Sequence, residues 1–159
     1  MNTGEQSHAN VVIRPPLLYL GALVLGVSME AVWPLGAGLF APPLRQAVIG
    51  IVLVMSGSVL LGLAAGCFRK AGTNIPTVMP TLVLVTSGPY AWSRNPIYIG
   101  LTLIYTGLAL AVNAWWAVVL LPGVLGILRY GVIAREEVYL AARFPDQYPA
   151  YYARVRRWI

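Results

Sequence analysis

Charge is scarce in this sequence. Only 10% of its 159 residues are Asp, Glu, Lys or Arg, against roughly a quarter in a soluble domain. With 58% hydrophobic residues and a mean hydropathy of +0.73, the chain reads as a membrane protein. Cysteine is scarcer still. The single Cys67 excludes an intramolecular disulfide and every multi-cysteine metal pattern. The single histidine, His8, lies in a polar stretch at the start, which argues against a histidine-based catalytic or zinc site inside the fold, and no metal is expected. The same stretch lacks a basic region leading into a short apolar core, so no cleavable signal peptide is expected. Acids number five against eleven bases. In so apolar a chain that excess points to a membrane surface rather than to nucleic acid.

Long apolar runs are what the chain has. Residues 1–13 read as a short flexible tail, closed by Arg14-Pro15-Pro16. A first span over residues 17–33 rises about 25 Å, a little short of a ~30 Å hydrocarbon core unless flanking residues extend it. Glu30 sits near its far end. An intramembrane acid is a functional candidate by default, but Trp33-Pro34 places this one close to water. A Gly/Pro-rich loop over 34–43 precedes a second span, 44–67, in which Ser58, Gly62 and Gly66 put small side chains on one face for close helix approach.

Residues 68–86 break the pattern. Arg69, Lys70, Gly72, Asn74, Pro76 and Pro80 argue against a helix, and a connection of this length is expected to be functional or disordered. A third span over 97–112 and a fourth over 115–134 flank the tight turn Asn113-Ala114, so they form an antiparallel hairpin with Trp115-Trp116 at the interface. Glu136, Leu140 and Phe144 then fall on helical spacing, which carries the fourth helix out of the bilayer. The basic, aromatic remainder reads as a segment lying on an anionic membrane surface. The expected architecture is an all-α integral membrane protein of about four transmembrane helices plus a C-terminal amphipathic helix. Residues 14–67 supply the first two spans, and 68–159 form a functional core.

With an even number of spans, ten of the eleven bases fall on one side and only Arg45 on the other. By the positive-inside rule that side is cytoplasmic, with both termini there. The long loop, the stretch Gly88-Pro89-Tyr90-Ala91-Trp92-Ser93-Arg94-Asn95-Pro96 and the tail therefore share one face. In that stretch Asn95 suits an N-cap and Pro96 the first helical position. A helix start beside Arg94 is a ready anion site. Either Glu136 or Glu137 could face it, since adjacent helical residues diverge by about 100°. An arginine at a helix start, a glutamate, and the aromatic faces of Tyr90, Trp92, Tyr98, Tyr148, Tyr151 and Tyr152 together complement a zwitterion carrying a base and a sulfonium. S-adenosylmethionine is such a molecule.

The run Gly88-Pro89-Tyr90 through Ser93-Arg94-Asn95-Pro96-Ile97-Tyr98-Ile99-Gly100, followed by Arg135-Glu136-Glu137, Phe144 and Tyr148 to Tyr152, resembles the isoprenylcysteine carboxyl methyltransferase and phospholipid methyltransferase superfamily. The resemblance covers about residues 66–157, including Ala71-Gly72-Thr73, and is of the bacterial type. The eukaryotic enzymes have Arg-His-Pro where this chain has Arg94-Asn95-Pro96, so this chain has no titratable imidazole at that position. The resemblance implies an S-adenosylmethionine-dependent integral-membrane methyltransferase, located in a bacterial inner membrane, that releases S-adenosylhomocysteine. Cofactor contacts carry over to Gly88, Tyr90, Arg94, Asn95, Pro96, Tyr98, Glu136, Glu137, Tyr148 and Tyr152. Glu137 stands as a catalytic candidate, and Arg143 as a residue that orients an anionic acceptor. The expected chemistry is direct in-line displacement at the sulfonium methyl by a hydrophobic or lipid-like acceptor reached from the bilayer. The alternative is a small proton-coupled transporter using Glu30.

Overall fold

The computed structural model describes residues 11–35, 43–75 and 79–159. His8, Pro76 and most of the Gly/Pro-rich loop expected over 34–43 lie outside the described residues. Helices α1 (Pro15–Val32) and α2 (Pro43–Lys70) come first, then a single 3-10 turn (Gly88–Ala91). Helices α3 (Pro96–Ala111) and α4 (Trp115–Leu128) follow. A π-helical turn (Arg129–Ile133) joins α4 to α5 (Ala134–Arg143), and α6 (Tyr148–Arg154) comes last. Among the described residues, three segments are long and apolar enough to cross a membrane: α1, α2 and the rod running from α4 through α5. α3 is a shorter apolar helix of 16 residues.

Local chemistry sets the ends of these elements. Proline stands at the start of both α1 and α3, where its missing N–H breaks no helical bond. α2 runs three residues past the end expected at Cys67. Arg69 and Lys70 are good helix formers, and as cations they suit the last turn. The helix stops at a Schellman motif on Gly72 (φ +63°). The Gly72 N–H bonds the Arg69 carbonyl at 3.2 Å and the Thr73 N–H bonds the Phe68 carbonyl at 3.1 Å. The turn expected at Asn113-Ala114 closes α3 in the same way, with Asn113 at φ +57° and the Ala114 N–H on the Ala109 carbonyl at 2.8 Å.

α3 lies along α2 on one side and meets α1 and α4 on the other. Lipid is as apolar as leucine, so close packing rather than burial from water holds such helices together. Gly50 and Gly57 of α2 provide it. A Cβ at Gly50 would lie 2.5 Å from the Gly107 carbonyl oxygen, and one at Gly57 would lie 2.6 Å from that of Gly100. The stripe expected to serve this purpose does not. Ser58 is exposed, and a Cβ at Gly62 or Gly66 would meet nothing within 4 Å. Spacing of seven, rather than four, faces the partner here. Gly26 of α1 makes the matching approach to Ala117 of α4.

Buried tyrosines tie α3 to its neighbours. The Tyr105 hydroxyl donates to the Ala117 carbonyl at 2.7 Å, and the Tyr19 hydroxyl shares a 2.7 Å hydrogen bond with Thr102. At the end of the bundle away from Arg14, Glu30 accepts the Leu35 N–H at 3.0 Å and the Trp116 N–H at 3.2 Å. It caps the start of α4, where Ala114 offers no side-chain acceptor.

Candidate active site

The stretch from Gly88 to Pro96 is shaped by one glycine and held by the tail. Gly88 has φ +61°, and a Cβ there would sit 2.9 Å from Cys67 Sγ. Tyr90 is buried edge-on against Phe68, with ring centroids 5.3 Å apart. Ser93 pairs with Arg156 in an isolated parallel bridge, and the Arg94 N–H donates to the Arg156 carbonyl at 2.9 Å. Asn95 occupies the N-cap position of α3, but its side chain does not cap. Its Nδ2 instead donates to the Arg157 carbonyl at 2.9 Å, and the Ser93 hydroxyl donates to the same oxygen at 3.2 Å. That part-buried carbonyl takes both donors, and the asparagine turns away from the helix to reach it.

The tail folds inward over this stretch. Tyr148, Tyr151 and Val155 are buried against Leu84, Leu140 and Phe144, while Tyr152, Arg154 and Arg156 point outward. The Tyr151 hydroxyl donates to the Tyr90 carbonyl at 2.9 Å. Much of the long loop is ordered as a wall. Thr73 Oγ1 accepts the Leu82 N–H at 2.7 Å, and the Thr81 N–H donates to the Tyr139 hydroxyl at 3.2 Å.

Between these elements lies a cavity of about 610 Å³, counting the space at its mouth. Phe68, Ile75, Leu84, Val85 and Leu140 give it an apolar surface, and Tyr90, Arg94, Asn95, Tyr98, Glu136, Glu137 and Tyr148 bring polar groups. With Tyr151, which also lines it, eight of the residues expected from the sequence therefore meet at one cavity. The others do not line it. Gly88 shapes the turn, Pro96 is the buried first residue of α3, and Tyr152 lies under the Arg94 guanidinium, 3.7 Å from Cζ to the ring centroid. Arg143 is exposed on the last turn of α5. Trp92 is also exposed.

The electrostatics centre on Arg94. Its side chain is only 8% exposed, and Nη2 lies 3.5 Å from Glu137 Oε1. Nε and Nη1 are buried and donate to nothing. Glu137 is gripped by a second arginine, because Arg157 donates from Nε at 3.0 Å and from Nη2 at 2.7 Å. Glu136, buried next to it, accepts the Tyr98 hydroxyl at 2.8 Å. Both glutamates line the cavity, although their 100° divergence suggested that only one would. Burial pushes the Tyr148 phenol up to about 12, with Glu137 adding to the shift and Arg94 opposing it. Burial raises Tyr90 and Tyr151 as well, with Glu136 the next contributor for Tyr90 and Tyr148 for Tyr151. Hydrogen bonding to Glu137 raises Arg157. Among the described residues no group of three His, Cys, Asp or Glu is placed to hold a metal.

Sequence reasoning missed Arg157, which nothing in the run Arg154-Val155-Arg156-Arg157 distinguishes from its neighbours. It also missed the loop residues Thr81, Leu84 and Val85. Their only signal was the length of the loop. No curated relative and no solved structure matches the chain. The family model described as phospholipid methyltransferase does match, over residues 45–147, and takes in all of the cavity lining except Tyr148 and Tyr151. Covering well over half of the chain, that match makes this all-α integral membrane protein a member of the phospholipid methyltransferase family.

Proposed function

We propose that this protein transfers a methyl group from S-adenosylmethionine to an acceptor with an apolar body, held in or at the bilayer, and releases S-adenosylhomocysteine. The observation that carries this reading is Arg94. A buried guanidinium with two of its three nitrogens unused costs free energy unless something anionic fills the place, typically about 1–3 kcal/mol per unsatisfied group. Arg94 and the positive end of α3 suit a carboxylate. Glu136, a carboxylate on the cavity wall, suits an ammonium. Tyr90, Tyr148 and the apolar wall suit a purine. Asn95 holds the tail in place rather than the ligand. When bound, S-adenosylmethionine supplies an electrophilic methyl for direct displacement.

The chain's own residues divide the remaining work. The apolar part of the wall, with a ligand seated against it, excludes water, which strengthens the charge interactions inside. Tyr90, Tyr148 and Tyr151, with their raised pKa values, stay protonated near neutral pH and act as donors, not bases. A proton released by an amine or alcohol acceptor would therefore go to Glu136 or Glu137, and a thiolate or carboxylate acceptor would need neither. Arg143, outside the cavity, is placed to meet an anionic acceptor only from the surface side. The arginine-rich end of the bundle faces the cytoplasm in this reading. Glu30 caps α4 with one oxygen and holds the Leu35 N–H with the other, which leaves the transporter reading without its key group.

Calorimetry with S-adenosylhomocysteine on detergent-purified protein tests the proposal. Binding is expected, and Arg94→Gln is expected to weaken it by about tenfold or more, on the scale of one charge-assisted hydrogen bond. No heat at millimolar ligand would overturn the reading.

A further inference from the structure

The neutralisation of Glu137 is more complete than an ion pair with Arg94 alone would make it. Arg157 takes both carboxylate oxygens in a two-pronged contact at 3.0 and 2.7 Å, whereas Arg94 approaches one of them at 3.5 Å through Nη2 alone. Paired donors in a fixed fork make such a contact strong and directional. The consequence falls on Arg94. Its Nε and Nη1 are buried and unpartnered, and its flat face rests on Tyr152. A partly buried carboxylate beside a single guanidinium would draw that guanidinium into a fork of its own. Here a second arginine already occupies the carboxylate.

Arg157 is itself tightly placed by its backbone. Its carbonyl accepts from both Ser93 and Asn95, and its neighbour Arg156 accepts the Arg94 N–H. The segment that delivers the guanidinium to Glu137 is thus tied to the turn bearing Arg94, residue beside residue. The family model ends at residue 147, ten residues short of Arg157.

We propose that Arg157 is a positioning residue of the cofactor site: by occupying Glu137 it keeps Nε and Nη1 of Arg94 free to donate to the ligand, with its carboxylate as their acceptor. This rests on the cofactor reading given above. Without Arg157, Glu137 turns its charge on Arg94 and competes with the ligand for the same donors.

The test is a double-mutant cycle read by S-adenosylhomocysteine calorimetry, with helical circular dichroism checked for each protein. Arg157→Gln is expected to weaken binding by about tenfold, within the range of couplings between contacting residues. Adding Glu137→Gln removes the competitor and is expected to restore affinity to within about threefold of the original protein. A role for Arg157 in merely fastening the tail predicts no such recovery. A double variant no tighter than Arg157→Gln therefore overturns the proposal, and so does unchanged affinity in Arg157→Gln. Should Arg157→Gln lose its helical signal, Arg157→Lys serves in its place, since it keeps the charge and cannot form the fork. Weakened binding rescued by Glu137→Gln is again the expected result. Failure of the unmutated protein to bind would instead overturn the cofactor reading itself.

Discussion

Gly107→Ala offers a clean test of what holds α3, and with it the candidate site, in place. The added Cβ would lie 2.5 Å from the Gly50 carbonyl oxygen and 2.8 Å from the Val54 nitrogen. Both are backbone atoms of α2 and cannot rotate away. The two helices must part locally by roughly 1 Å, and a gap of that size forfeits up to about half of the dispersion energy of the atoms lining it. Overpacking of this kind costs about 1–3 kcal/mol. In detergent or lipid no gain from burying the methyl offsets it, because the surroundings are already apolar. At about 2–4 °C per kcal/mol for a chain of this size, the apparent unfolding midpoint should drop by roughly 2–12 °C. Gly62→Ala is the matched control. Nothing lies within 4 Å of its Cβ, and replacing a helical glycine gains up to about 1 kcal/mol. A thermal scan by circular dichroism on the two purified variants decides the matter. If Gly107→Ala melts at or above Gly62→Ala, glycine contacts at seven-residue spacing are not what joins α2 to α3.

Two further outcomes are expected. Tyr148 is pushed up to about 12 from 10.0, so its contribution to stability is complete below pH 10 and is lost as pH rises through 12. Phenolate absorbance of the buried tyrosines should appear only as the protein unfolds, and ionisation near pH 10 in the folded protein would contradict the burial. Glu30→Gln replaces a carboxylate that accepts two backbone N–H groups. It should cost about 1–3 kcal/mol of stability while leaving S-adenosylhomocysteine affinity unchanged; a large loss of affinity would mean that the two ends of the bundle are coupled.

Much of the fold was legible because it rests on local patterns. Apolar runs gave the spans, and proline and asparagine gave the start and end of α3. The site was legible to the extent that its residues cluster in two stretches, Tyr90 to Tyr98 and Glu136 to Tyr148. What the sequence hid was long-range and conformational. Asn95 looks like a cap until a carbonyl 62 residues away claims its amide. Gly62 and Gly66 follow a packing rule, but nothing local says which face of α2 meets α3. Both glutamates face the cavity, which no ideal helical wheel suggests. The grip of Arg157 on Glu137 depends on the path of the tail, which composition leaves open.

The π-helical turn at Arg129–Ile133 gives the distance between hairpin and glutamates a meaning of its own. A π turn takes up more residues than an α turn, and the Gly131 carbonyl there accepts the Val12 N–H at 3.2 Å, anchoring the start of the chain to it. Everything downstream is therefore phased by a count. Many substitutions in α4 would leave Glu136 and Glu137 aimed at Arg94. Deleting a single residue between Leu128 and Ala134 could rewind the turn to an ordinary helix and swing both carboxylates off the cavity. For anyone engineering this scaffold, the number of residues there is a stricter constraint than their identity.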